Sequence, residues 1–79
     1  MHVKILGPMT TDAEKLLQNT AIALKKLKIK ASFERVNDFS KAMAYGLLAI
    51  PGLVVDEQLI SCGTVLQVEE AMEIIKSSL

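Results

Sequence analysis

Cysteine is almost absent from this chain of 79 residues, since Cys62 is the only one. A single thiol cannot form a disulfide within the chain, so disulfide bonds do not hold the fold together as they do in small secreted modules. His2 is the only histidine. Together, Cys62 and His2 are too few for a structural zinc site, which takes four ligands. We therefore expect no metal and no cofactor.

Aromatic residues and net charge are scarce as well. The chain has no tryptophan, one tyrosine and two phenylalanines, and its nine basic residues balance nine acidic ones. Proteins that bind nucleic acid use a basic surface and aromatic side chains on which bases stack. We therefore expect no nucleic-acid partner.

Long apolar runs are missing too. The longest uncharged stretch, residues 42–55, contains two glycines and a proline and falls short of the roughly 20 apolar residues that span a bilayer. The opening residues, MHVKIL, lack the apolar core and cleavage site of a secretory signal. These features predict a cytoplasmic protein that does not insert into a membrane.

Aliphatic side chains are abundant, and their spacing predicts the secondary structure of one domain, residues 1–79. Alternating or clustered apolar residues predict four strands. They cover residues 2–6, 29–36, 51–56 and 58–62. In the second strand Ile29, Ala31 and Phe33 form the apolar side.

The last two strands form a hairpin, because only Asp56 and Glu57 separate them. A two-residue turn places Leu53 opposite Ile60 and Pro51 opposite Cys62, at one end of the sheet. A register one residue longer would move the thiol away from that end.

Three helices complete the pattern. The first has an apolar stripe that includes Leu16 and Leu24, and Thr11 and Glu14 have the spacing of a capping box at its start. Ile22 lies on its polar side. A short helix follows Asn37 or Asp38, and the third ends the chain.

The element order is therefore β-α-β-α-β-β-α. A helix separates the first two strands, so they run parallel, whereas the hairpin strands run antiparallel. The predicted fold class is α/β, with a four-stranded mixed sheet and helices on both faces.

Three segments resemble a known family. "KILGP", "AYGLLAIPGLVVDEQLISCG" and "EEAMEIIK" are similar to the small archaeal and bacterial redox-active disulfide proteins of the thioredoxin and glutaredoxin type. The resemblance covers nearly the whole chain and implies a thioredoxin-like fold.

The resemblance also shows what the chain has lost. The Cys-x-x-Cys pair of that family, in which one thiolate attacks and the other resolves the mixed disulfide, falls on Thr10 and Ala13. The resemblance further implies a cis peptide bond before Pro51, beside which the backbone pairs with an extended substrate. Taken by itself, Pro51 is a proline at the start of an edge strand.

Several interpretations remain open, and none of them includes a catalytic dithiol. The first is a non-catalytic module that binds a partner protein or extended peptide in a groove. That groove comprises Met9, Thr10, Thr11, Ile50, Pro51 and Gly52. The second is monothiol redox chemistry at Cys62, and the third is an interaction or self-association domain for which Ile22 is the only indication. Thr10 and Thr11 would in the simplest case only cap the helix.

Overall fold

The elements of the described residues follow one another in the predicted order β-α-β-α-β-β-α. The computed structural model describes residues 1–8, 10–46 and 49–79. The elements are β1 (His2–Leu6), α1 (Thr11–Lys26), β2 (Ser32–Val36), α2 (Phe39–Met43), β3 (Gly52–Val55), β4 (Gln58–Cys62) and α3 (Val68–Ser77).

The four strands form one mixed sheet in the order β2-β1-β3-β4. β1 pairs in parallel with β2 and antiparallel with β3, and β3 pairs antiparallel with β4. β1 and β3 are therefore the central strands, and their apolar residues Val3, Ile5, Leu53 and Val54 are fully buried.

Helices cover both faces of the sheet, as the alternation of buried residues requires. On one face, Ala13 and Leu16 of α1 and Ile75 of α3 pack with the strand residues Ile5 and Leu53. On the other face, a smaller cluster joins Ala42 of α2 to the sheet. Its buried members are Leu6, Val36, Ala42 and Val54. We call the two faces the α1/α3 face and the α2 face.

The second strand is shorter than the sequence predicts because α1 ends in a tight turn. Lys28 has a φ of 59°, its N–H donates to the carbonyl of Lys25, and the N–H of Ile29 donates to the carbonyl of Leu24. This is the hydrogen-bond pattern of a Schellman motif, with a lysine where glycine is usual. Ile29 therefore belongs to the end of α1, and β2 begins only at Ser32.

Phe33 is 41% exposed, so its predicted place on the buried side of β2 is wrong. β2 is an edge strand of the sheet, whereas α1 packs over the central strand β1. An edge residue lies beyond the cover of that helix, which explains why alternation alone overstates its burial.

The hairpin has the expected turn but a different register. Asp56 and Glu57 have φ values of 48° and 70°, the positive values of a type I′ turn. A bulge next to Leu53 then shifts the pairing, so that Leu53 lies opposite Ser61 and Gly52 opposite Cys62. The predicted pairs of Leu53 with Ile60 and Pro51 with Cys62 are therefore wrong.

The start of α1 is also one residue earlier than the capping box implies. The Thr10 hydroxyl accepts a hydrogen bond from the Ala13 N–H at 3.1 Å, so Thr10 is the N-cap and Thr11 the first helical residue. The third helical position is thus Ala13 and not Glu14, and alanine has no side-chain acceptor that could complete a box.

Candidate functional site

The loop from β1 to α1 forms one side of the predicted groove. After Leu6 the chain turns at Gly7, whose φ is 119° and whose N–H donates to the carbonyl of Val36 at 2.8 Å. Pro8 and Thr10 are exposed, and Met9 lies outside the described residues. The positive φ favours glycine at position 7, because L side chains rarely adopt it.

The segment before β3 forms the other side. A methyl group added to Gly7 would lie 3.2 Å from Cγ2 of Ile50, so the Gly7 backbone packs directly against the Ile50 side chain. Ile50 is nevertheless 51% exposed. The structure therefore brings Ile50 beside the loop that leads to Thr10.

Pro51 and Gly52 follow Ile50 in the chain and are buried. The Ile50–Pro51 peptide bond is cis, and the Pro51 carbonyl accepts a hydrogen bond from the Gly63 N–H at 2.9 Å. Gly52 lies opposite Leu6 on one side and Cys62 on the other. The interpretation of Pro51 as the start of an edge strand is wrong, because β3 is a central strand.

Thr10 and Ala13 are fixed by the helix that they begin. The hydroxyl of Thr10 caps α1, and Ala13 is fully buried in the α1/α3 core. Thr11 is exposed on the first turn. A hydroxyl is a weak nucleophile unless a base activates it.

Cys62 reaches the same end of the sheet but the opposite face. It follows Leu6 and Gly52 in a row across the strands, and it packs with Leu6, Val54 and Ala42 on the α2 face. Thr10 begins a helix that packs on the α1/α3 face. The half-buried thiol therefore does not share a site with Thr10.

A family model for the thioredoxin domain matches residues 1–76. The chain belongs to this family. It is also similar to a protein named thioredoxin from Methanothermobacter thermautotrophicus (strain Delta H), with 35% identity over 75 residues that cover 95% of this chain and 97% of the relative.

A solved structure supports the fold of this thioredoxin domain. A chain described as a malarial protein superposes with a TM-score of 0.66 and covers 99% of this chain and 96% of its own length. At 12% identity the likeness shows the fold alone.

A cluster on the α2 face of the thioredoxin domain is not apparent from the sequence. The Lys4 ammonium lies 2.7 Å from Oε1 of Glu57 and donates to the Tyr45 hydroxyl at 2.5 Å. The Tyr45 hydroxyl in turn donates to Oε2 of Glu57 at 3.0 Å. The only sequence signal is the position of Lys4, a charge between the apolar residues of a central strand.

These contacts shift the two titrations in opposite directions. The hydrogen bond to Glu57, followed by that to Tyr45, raises the pKa of Lys4 above its ordinary value. The hydrogen bond from Lys4, followed by that from Tyr45, lowers the pKa of Glu57. Both side chains therefore remain charged over a wide pH range.

Both the backbone and the ring of His2 make hydrogen bonds. Its N–H donates to Oδ1 of Asp56 at 2.8 Å, and its ring nitrogens lie 2.6 Å from the Ser32 hydroxyl and 3.2 Å from Oε1 of Glu34. β1 pairs with β2 from His2 onward, so His2 is part of the sheet.

Two absences hold for the part of the chain that the structure describes. It contains no group of three or more histidine, cysteine or acidic side chains placed to hold a metal ion. Nor is any helix there both long and apolar enough to cross a membrane.

Proposed function

We propose that this thioredoxin-domain protein binds an extended segment of a partner protein and carries out no dithiol chemistry. The binding surface would be formed by the exposed residues Pro8, Thr10 and Ile50, which we call the Ile50 surface. The observation that carries the proposal is the exposure of Ile50 beside the loop that begins α1. Ile50 is 51% exposed although its side chain packs against the Gly7 backbone, so a partner that covers it would bury the remaining apolar area.

The chemistry available to the protein supports binding over catalysis. One cysteine in the whole chain cannot supply both an attacking and a resolving thiol. By the family resemblance, Thr10 and Ala13 stand where that pair would be. The hydroxyl of Thr10 cannot form a disulfide and is a far weaker acid than a thiol, so it does not replace the attacking cysteine.

The contacts around Gly52 limit how a partner segment would bind. Gly52 has strands on both sides, so a partner strand cannot add to the sheet there. The main contribution would come from apolar side chains of the partner that cover Ile50, at about 25 cal/mol per Å² of buried apolar area. Because the apolar area that Ile50 offers is small, we expect weak, reversible binding.

The charge near the helix start limits the partner further. Asp12 and Glu14 lie in the first turn of α1, where they already complement the positive end of the helix dipole. An acidic partner segment would be repelled by these carboxylates. We therefore propose an apolar segment with neutral or basic flanks, and a location in the cytoplasm, where a lone thiol stays reduced.

Selection from a random linear peptide library, displayed on phage, would test the proposal. The selected peptides are then titrated into ¹⁵N-labelled protein, and we expect amide shifts to cluster on residues 8–13 and 49–53. Ile50→Asp should weaken binding by about tenfold or more, which corresponds to about 1.4 kcal/mol.

Ile22→Asp is the matched control, because Ile22 is 45% exposed but lies on the outer side of α1. This variant should bind the peptides as the unmodified chain does. Peptides that bind the Ile50→Asp variant with undiminished affinity would refute the proposal. Shift changes centred on Ile22 would instead support the interaction-domain alternative.

A further inference from the structure

The α2 face holds an open pocket of about 370 Å³. The helix that covers this face, α2, has only five residues, so it covers the sheet only in part. The volume lies within the range of roughly 300–1,000 Å³ that is typical of sites for small molecules.

Charged side chains of both signs meet around this pocket. Lys4 comes from β1, Glu34 from β2, Lys41 from α2 and Glu57 from the hairpin turn. Two positive and two negative charges leave the lining without net charge. Because these charges offset one another, the lining gives no net attraction to an ion of either sign, so it favours a ligand without net charge.

One of the two opposite pairs is already satisfied within the protein. The Lys4 side chain is only 15% exposed, its ammonium group lies 2.7 Å from Oε1 of Glu57, and the Tyr45 hydroxyl bonds to both. This triad forms a fixed wall whose charges are compensated. The aromatic ring of Tyr45 and the side chain of Val36 supply apolar surface beside it.

The other two charged residues, Lys41 and Glu34, remain available to a ligand. Lys41 makes no side-chain ion pair within the described ranges, and Glu34 contacts only the His2 ring at 3.2 Å, which is uncharged unless protonated. An ammonium and a carboxylate that face one pocket without pairing to each other offer a partner for each end of a molecule with both charges.

We propose that this pocket binds a small zwitterion of the amino-acid type. The carboxylate of the ligand pairs with Lys41, its ammonium group pairs with Glu34, and its aliphatic part lies against Val36 and the Tyr45 ring. The site is on the α2 face and uses no residue of the Ile50 surface, so it stands or falls independently of the proposed partner binding.

Three probes with the same four-carbon chain test the pairing. Titration of the ¹⁵N-labelled full chain at pH 7 with 4-aminobutyrate should give saturable shifts at the amides of Glu34, Lys41 and Tyr45. Butyrate and n-butylamine each lack one charge, so the affinity of each should be lower by a factor of about ten or more. No saturation by 4-aminobutyrate, or equal binding of butyrate, would overturn the proposal.

Two variants remove the charges that face the ligand. Lys41→Gln and Glu34→Gln should each weaken binding of 4-aminobutyrate by about tenfold. Both residues are exposed, so these changes should leave the fold intact, as a dispersed amide spectrum would show. The matched controls on α3, Lys76→Gln and Glu73→Gln, should bind as the unmodified chain does. Binding that survives both pocket variants would refute the assignment.

Discussion

Lys4 combines two features that rarely occur together, a position in a central strand and a full charge. Its neighbours Val3 and Ile5 are fully buried, whereas its own side chain extends along the α2 face to Glu57 and Tyr45. A lysine side chain that is only 15% exposed needs such partners for its ammonium group, because burial disfavours an unpaired charge.

The Lys4–Glu57 pair predicts a pH-dependent contribution to stability. Because the pKa of Glu57 is lowered in the folded state from its ordinary 4.5, its contribution is present above that value. It is lost as the pH falls through the folded-state pKa. Because the pKa of Lys4 is raised from 10.5, the contribution of Lys4 is present below pH 10.5 and is lost as the pH rises through the folded-state pKa.

Glu57→Gln should therefore lower the free energy of unfolding at pH 7, and the difference from the unmodified chain should vanish at strongly acid pH. Urea unfolding followed by circular dichroism at the two pH values measures it. Glu73→Gln on the outer side of α3 is the control and should change little, since exposed charges contribute little. Equal stability of the Glu57 variant and the unmodified chain at pH 7 would contradict the prediction.

Gly63 helps to position the residues before Ile50. Its φ is 79°, and an added methyl group would lie 2.9 Å from Cβ of Ala49, whereas Gly46 has a φ of 82° and open space around it. Gly46→Ala should cost about 1–2 kcal/mol for the left-handed backbone alone. Gly63→Ala should cost about 1–3 kcal/mol more because of the added contact. Urea unfolding of the two variants compares them, and equal losses would show that Ala49 does not press on Gly63.

Cys62 provides a third test at the residue scale. The thiol is half-buried and packs against Leu6 and Val54 on the α2 face, so a thiol reagent has limited access to it. We expect slow modification by iodoacetamide at pH 7.5 in the folded protein and fast modification in urea. Rapid modification of the folded protein would instead favour the monothiol interpretation.

At the scale of elements, periodicity predicted each helix and strand, but side-chain and backbone details set where they end. The apolar stripe of α1 is confirmed for Leu16 and Leu24. The boundary between α1 and β2 was misjudged because a left-handed lysine was not expected at position 28, where glycine is usual. The bulge in the hairpin could not be predicted either, because one extra residue in a strand leaves the apolar composition of both strands nearly the same.

Substitutions at two neighbouring threonines distinguish the observed N-cap of α1, Thr10, from the expected one, Thr11. Thr10→Ala removes the acceptor for the Ala13 N–H and should lower the free energy of unfolding by about 1 kcal/mol. Thr11→Ala replaces an exposed first-turn residue and should change stability by less than about 0.5 kcal/mol. Thermal or urea unfolding measures both, and the reverse ranking would restore the capping box at Thr11.

For the whole molecule, the order of elements predicted the mixed sheet and its parallel first pair, both of which are confirmed. It did not predict that β3 pairs with β1 and so becomes a central strand. That arrangement depends on how α1 and α3 pack together on one face, which no local pattern encodes. Because Gly52 then has a strand on each side, the candidate site rests on the exposed side chain of Ile50.

The unmodified thioredoxin domain should not accelerate the reduction of insulin by dithiothreitol, because its single thiol cannot cycle through an internal disulfide. If the resemblance assigns the lost pair correctly, Thr10→Cys with Ala13→Cys should restore the reaction when Cys62→Ser removes the original thiol. Residues three apart at a helix start have Cβ atoms about 5–6 Å apart, close enough for modest backbone adjustment to allow a disulfide. The positive end of α1 should also activate the first thiolate.

Insulin turbidity and a count of free thiols before and after oxidation measure the outcome. The matched control carries only Thr10→Cys and Cys62→Ser, and it should form no internal disulfide and give no turnover. A double-cysteine variant that folds but cannot close the disulfide would show that Thr10 and Ala13 do not occupy the positions of the family's pair. Turnover by the unmodified chain would place redox chemistry on Cys62 and contradict a purely binding role.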